Sequence, residues 1–224
     1  MYDLPVITGR ATLLMVVLSF AFTGVAKSQN EISERIPQYL FSEFADGMVV
    51  KNNGEKVVTS LNYNVVTEEM IFRRDDKFLA LGGVSSIDTV YLNGMVFLPV
   101  DNKFYELAVA GENKLMVQFT GTVRVEGEDV GYGVTSQTSR ITTLSSITNT
   151  GGFYNLDLPD NLHISRQITY YADVDGSLER FVNERALLKI FRERRSEIKG
   201  LIDDMGIDFD NYNDVVSLFV EINK

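Results

Sequence analysis

The chain has 224 residues, with 31 acidic against 21 basic side chains, one histidine and no cysteine, for a net charge of −10 at pH 7. That balance argues against a nucleic-acid partner, which needs a concentrated cationic face. The missing cysteine excludes disulfides, thiolate metal sites, a thiol nucleophile and a lipidated N-terminal cysteine.

At the start of the chain, Arg10 precedes an apolar run from Ala11 to Val25 and a small-residue exit, Ala26-Lys27-Ser28. This is the pattern of a secretory signal peptide over residues 1–28, cut after Ala26 or Ser28. The run is shorter than the roughly 20 residues of a membrane-spanning helix. Residues 29–224 are therefore expected as one exported β-rich domain in the periplasm or at the cell surface, with no transmembrane helix.

From Phe41 to Arg124 short apolar runs alternate with turn residues at the spacing of an antiparallel meander. Asn53-Gly54 and Asn93-Gly94 suit tight hairpins because both residue types tolerate positive φ. Asp75-Asp76, Asp101-Asn102 and Gly111-Glu112-Asn113 supply further turns. Val57, Thr59, Leu61, Tyr63 and Val65 share one face of a strand, with Val58, Ser60, Asn62 and Asn64 expected on a wet face. Residues 126–152 turn rich in Gly, Ser and Thr, and Ile141–Thr148 is expected as a strand within them. Phe153–Leu158 and Gln167–Val174 are expected as two more, the latter closed by Asp175-Gly176.

After Asn183 the period changes to that of a helix. Leu187, Leu188 and Phe191 form one stripe, and Ile198, Leu201, Ile202 and Met205 another. Val215, Leu218, Phe219 and Ile222 form a third, capped by Asn213 or Asp214, while Asn183 caps the first and Gly206 ends the second. The expected fold is α+β and predominantly β. An antiparallel meander over residues 29–182 curls into a roll, barrel-like sheet or sandwich, and two to three helices within 183–224 dock on it.

The phrases LNYNVVTEEMIF (Leu61 to Phe72), GYGVTSQTS (Gly131 to Ser139) and the tail KIFRERRSEIKGLIDDMGIDFDNYNDVVSLFVEIN resemble exported proteins common in Bacteroidota. The resemblance implies export and carries no activity. Tails of that group hold a proline after the residue matching Phe191. Arg192 stands there in this chain, so a helix break at that point loses its simplest cause.

Several groups carry side chains capable of chemistry. His163 lacks a nucleophile elbow and a metal-ligand set around it. Glu68-Glu69 offer two carboxylates, but neighbours on a strand point to opposite faces. Asp173–Glu179 has Leu178 where a calcium loop needs glycine, and a hairpin turn at Asp175-Gly176 accounts for it better. Gly131-Tyr132-Gly133 is no dinucleotide motif. Asp88-Thr89-Val90 matches a D-T-hydrophobic acceptor for O-glycosylation in that bacterial group. Asp208, Asp210 and Asp214 suit caps and turns. The run Arg185, Lys189, Arg192, Arg194, Arg195 and Lys199 could grip an anion, although Glu184, Glu193 and Glu197 interleave with it.

Tyr132, Gln137 and Arg140, on the Ser/Thr-rich segment, are the candidate binding residues, since polar and aromatic loop residues on a rigid sheet make binding devices. No metal ligand, cofactor or catalytic residue is assigned. The expected function is non-catalytic binding of a protein or glycan partner at the envelope. The alternative is an acid-residue hydrolase of the glycosidase type.

Overall fold

The computed structural model describes residues 36–125, 152–156 and 158–224. The signal segment, the Ile141–Thr148 strand and the binding candidates Tyr132, Gln137 and Arg140 lie outside those residues.

Among the described residues ten antiparallel strands form one sheet. They are β1 (Ala45–Lys51), β2 (Lys56–Asn64), β3 (Glu69–Arg74), β4 (Lys77–Ala80), β5 (Ile87–Leu92), β6 (Met95–Val100), β7 (Lys103–Val109), β8 (Lys114–Val125), β9 (Leu162–Val174) and β10 (Ser177–Phe181). Helices α1 (Glu184–Ile190), α2 (Arg195–Met205) and α3 (Tyr212–Ile222) follow. No helix among the described residues is long and apolar enough to cross a membrane. The fold is thus α+β, predominantly β, and one curled sheet rather than a two-sheet sandwich.

The strand order is β10-β9-β8-β7-β6-β5-β1-β2-β3-β4, so the chain does not run as one meander. It starts in the middle with β1, winds out to β4, returns to pair β5 against β1, and winds out the other way. Turn chemistry permits each reversal: Asp75-Asp76, Asn93-Gly94, Asp101-Asn102 and Asp175-Gly176 all adopt positive φ, which Asn, Asp and Gly tolerate best.

The sheet curls without closing. Tyr63 on β2 stacks on Phe97 of β6 at 5.7 Å and donates its hydroxyl to the Phe119 carbonyl of β8 at 3.0 Å, although neither strand neighbours β2. Gly121 admits this approach, because a Cβ there would lie 2.9 Å from Val65 Cγ2. The helices share the core that the sheet encloses, with Leu187, Ile198, Val215 and Phe219 buried in the same cluster as Tyr63 and Phe97.

Gly47 on the central strand β1 marks the tightest backbone approach. A Cβ there would stand 2.8 Å from the Tyr91 carbonyl oxygen and from Leu61 Cδ1. Gly47→Ala is expected to destabilise the protein by about 1–3 kcal/mol, because a backbone atom cannot step aside as a side chain can. Equilibrium urea unfolding measures it, and a variant as stable as the parent contradicts the packing described.

Four expectations need correction. Asn62 and Asn64 are fully buried, not on a wet face, because residues 36–44 cover them. The Asn62 amide donates to the carbonyls of Phe41 (2.9 Å) and Glu43 (3.1 Å), and the Arg166 guanidinium donates to the carbonyls of Ile36, Pro37, Tyr39 and Leu40. Residues 153–156, expected as part of a strand, do not form one. Gly152–Tyr154 form a 3-10 turn, and the carbonyls of Phe153, Tyr154 and Asn155 accept from the side chains of Asn64, Tyr39 and Gln38 instead of a ladder. The third helix is capped by Asn211, whose side-chain oxygen accepts from the amides of Asn213 and Asp214. The first helix does break at Phe191 (φ −93°, ψ 57°) without proline, and that ring is buried against Phe219 at 6.2 Å.

Candidate functional site

Among the described residues β10 is the last strand of the sheet and pairs only with β9. The β9–β10 hairpin turns on two residues, Asp175 (φ 53°) and Gly176 (φ 79°). Its flanking pair, Val174 and Ser177, is the hydrogen-bonded pair of such a hairpin, and the pattern alternates from there. Leu178 and Arg180 therefore turn their N–H and C=O groups away from β9, toward the open edge.

α1 packs against β10 and β9 and is started by the Asn183 side chain, which accepts from the Ala186 amide at 2.9 Å. Leu187 and Leu188 face the core, which leaves Lys189 and Arg192 on the solvent side. A cavity of about 610 Å³ lies between β10 and α1. Its apolar lining comes from Val174, Ala186 and Ile190, its cations are Arg180, Lys189 and Arg192, and Glu179 is its one acid. It adjoins a second hollow of about 730 Å³ against Asn113 and the end of α3, with Val174, Ile190 and Arg192 common to both.

Among the described residues none of these three cations forms an ion pair. Arg192 Nε donates to the Lys189 carbonyl at 3.2 Å, which anchors its stem at the α1 C-terminus, and among the described residues its terminal nitrogens form no ion pair. Two other cations of the run are paired, while Arg185 and Arg195, like Lys189 and Arg192, form no ion pair among the described residues. Arg194 binds Glu197 at 2.5 Å, and Lys199 binds Asp203 at 3.0 Å and Glu184 at 3.4 Å.

The structure thus divides the run that the sequence presents as one. Arg194 and Lys199 have acids three and four residues on along α2, whereas Arg192 has Arg195 and Ser196 at those offsets. Lys189 has Glu193, but α1 ends between them. Nothing in the sequence distinguishes Arg180, since only strand order makes β10 an edge.

The other weighed residues are engaged elsewhere. Glu68 turns to Lys103 (2.7 Å) and Gln118 (2.5 Å), while Glu69 accepts from the Tyr154 hydroxyl (2.7 Å), so the two carboxylates diverge. Burial and the Glu69 carboxylate push the Tyr154 phenol up to about 12. Thr89 is buried, with its hydroxyl donating to Asp88 at 2.7 Å, a poor acceptor for glycosylation of the folded chain. Asp173 pairs with Lys114 at 2.8 Å. Asp208 and Asp214 accept from backbone amides of the turn before α3. His163 stands on β9 opposite Arg124. Among the described residues no group of three or more His, Asp or Glu side chains is placed to hold a metal ion.

One carboxyl is unusual. Glu106 on β7 is 4% exposed, accepts from the Tyr212 hydroxyl at 2.7 Å and has no partner for its other oxygen among the described residues. Burial raises its pKa to about 6 against the bond from Tyr212, which lowers it. It lies under α3, out of reach of a polymer, which suits a structural acid better than a catalytic one.

No protein-family model, curated protein or solved structure matches the chain.

Proposed function

We propose that this is an exported, non-catalytic domain that binds a protein or glycan partner at the cell envelope, with the hollow between β10 and α1 as its binding surface. The observation that carries the reading is a set of three cations around an apolar-lined cavity, free of ion pairs among the described residues, in a chain whose net charge is −10. Cations in an acidic protein are ordinarily dispersed or neutralised by neighbours. Three cations with Glu179 as the one acid beside them leave a surface whose field favours an anionic partner. Export is supported by the pattern of Arg10, the apolar run and Ala26-Lys27-Ser28. Glu68, Glu69 and Glu106 are committed to separate neighbours, so none of them favours the acid-residue hydrolase.

The test is capture. Tagged protein lacking residues 1–28 is incubated with envelope extract of its source organism at low salt and at 0.5 M salt. A protein or polysaccharide recovered at low salt, displaced by untagged protein and released by high salt, is the expected result. Recovery of nothing that untagged protein displaces overturns the reading.

A further inference from the structure

We infer that the partner surface is a strand-addition site: an extended, acidic segment of another protein pairs with β10 as an eleventh strand. The inference rests on the binding reading above and narrows it to a protein partner.

Three features converge on β10. Its outward N–H and C=O groups at Leu178 and Arg180 form a short main-chain template about 17 Å long. The cavity beside it would receive alternate side chains of an added strand, over Ala186 and Ile190. Val182, directly after the strand, is 53% exposed, which extends the apolar contact along the same edge. The opposite edge differs, since β4 is only four residues long and the Gly152–Tyr154 turn packs on it.

Charge selects the occupant. The register places the Arg180 side chain on the face shared with Tyr171, and Ser177 and Glu179 on the helix side. Cations thus flank an incoming strand from both faces, Arg180 on one and Lys189 with Arg192 on the other. A second copy pairing through its own β10 would set these cations against themselves, which costs rather than gains. Charged edge strands deter self-association in this way, and the same charges admit an acidic chain. A glycan could meet the cations, but its hydroxyls do not repeat at the spacing of a strand's amides.

The experiment selects from a random dodecapeptide library against the protein without residues 1–28, then follows the enriched peptides by amide hydrogen exchange. Peptides rich in Asp and Glu that slow exchange at Leu178 and Arg180 by tenfold or more are expected. Lys189→Glu with Arg192→Glu should weaken their binding by at least tenfold. Arg180→Gln should weaken it moderately. Arg180→Pro, which removes an outward N–H that β9 does not use, should abolish it. Enrichment without acidic residues, or without protection at Leu178 and Arg180, overturns strand addition. A sulfated polysaccharide that binds through Lys189 and Arg192 with no amide protection also overturns it, while leaving the broader binding reading standing. Failure of the envelope capture removes both.

Discussion

Phe219→Ala is expected to cost about 3–5 kcal/mol of stability, the range for a buried phenylalanine cut to alanine. Phe219 is completely buried, stacks on Phe181 at 5.6 Å and meets Phe191 edge-on at 6.2 Å. Phe181 in turn stacks on Tyr170 at 5.7 Å. These rings carry the core from β9 through β10 to α3, and Phe191 adds the end of α1. The substitution therefore loosens the wall of the proposed groove as well as the core. Domains of this kind are stable by about 5–15 kcal/mol in total, so the loss should be plain in a urea titration. A change below about 1 kcal/mol would mean that the helical tail is not integral to the core.

Glu106→Gln should have the opposite sign at neutral pH. The native carboxyl holds its proton more tightly when folded, with a pKa of about 6 against an ordinary 4.5. Its contribution is therefore fully present below about pH 4.5 and is lost as pH rises through about 6. The loss amounts to about 2 kcal/mol, the cost of ionising a carboxyl in that buried site. Glutamine cannot ionise and can still accept from Tyr212. Stability at pH 7 should rise by up to about 2 kcal/mol, and the decline between pH 4.5 and 6 should flatten. Urea midpoints at half-unit pH steps check this. A decline as steep as the parent's would show that Glu106 is not the group responsible.

Much of the architecture is legible in the residues. Asn-Gly, Asp-Asp and Asp-Gly pairs mark the reversals because they alone sit easily at positive φ, and the stripes after Asn183 mark the helices. The strand order is not legible, since alternation gives a strand's faces but not its neighbours. Asn62 and Asn64 show the limit well. Their polarity suggests water, yet segment 36–44 covers them: the Asn62 amide satisfies the backbone of that segment, and the Asn64 side chain donates to the Phe153 carbonyl and accepts from the amides of Val66 and Thr67. A polar residue opposite an apolar face can thus signal a covering loop as readily as solvent. The candidate site was half legible. Lys189 and Arg192 stood out as cations, but their difference from Arg194 depends on where α1 stops, and the role of Arg180 depends on β10 being an edge.

The most direct measurement is site-specific cross-linking in envelope extract, with a photoreactive amino acid replacing Lys189 beside the groove or Lys77 on the far edge strand. Adducts from position 189, mapped by mass spectrometry to an acidic segment of another protein and absent from position 77, are the predicted result. Adducts equal at both positions, or formed only at 77, would contradict a binding surface between β10 and α1.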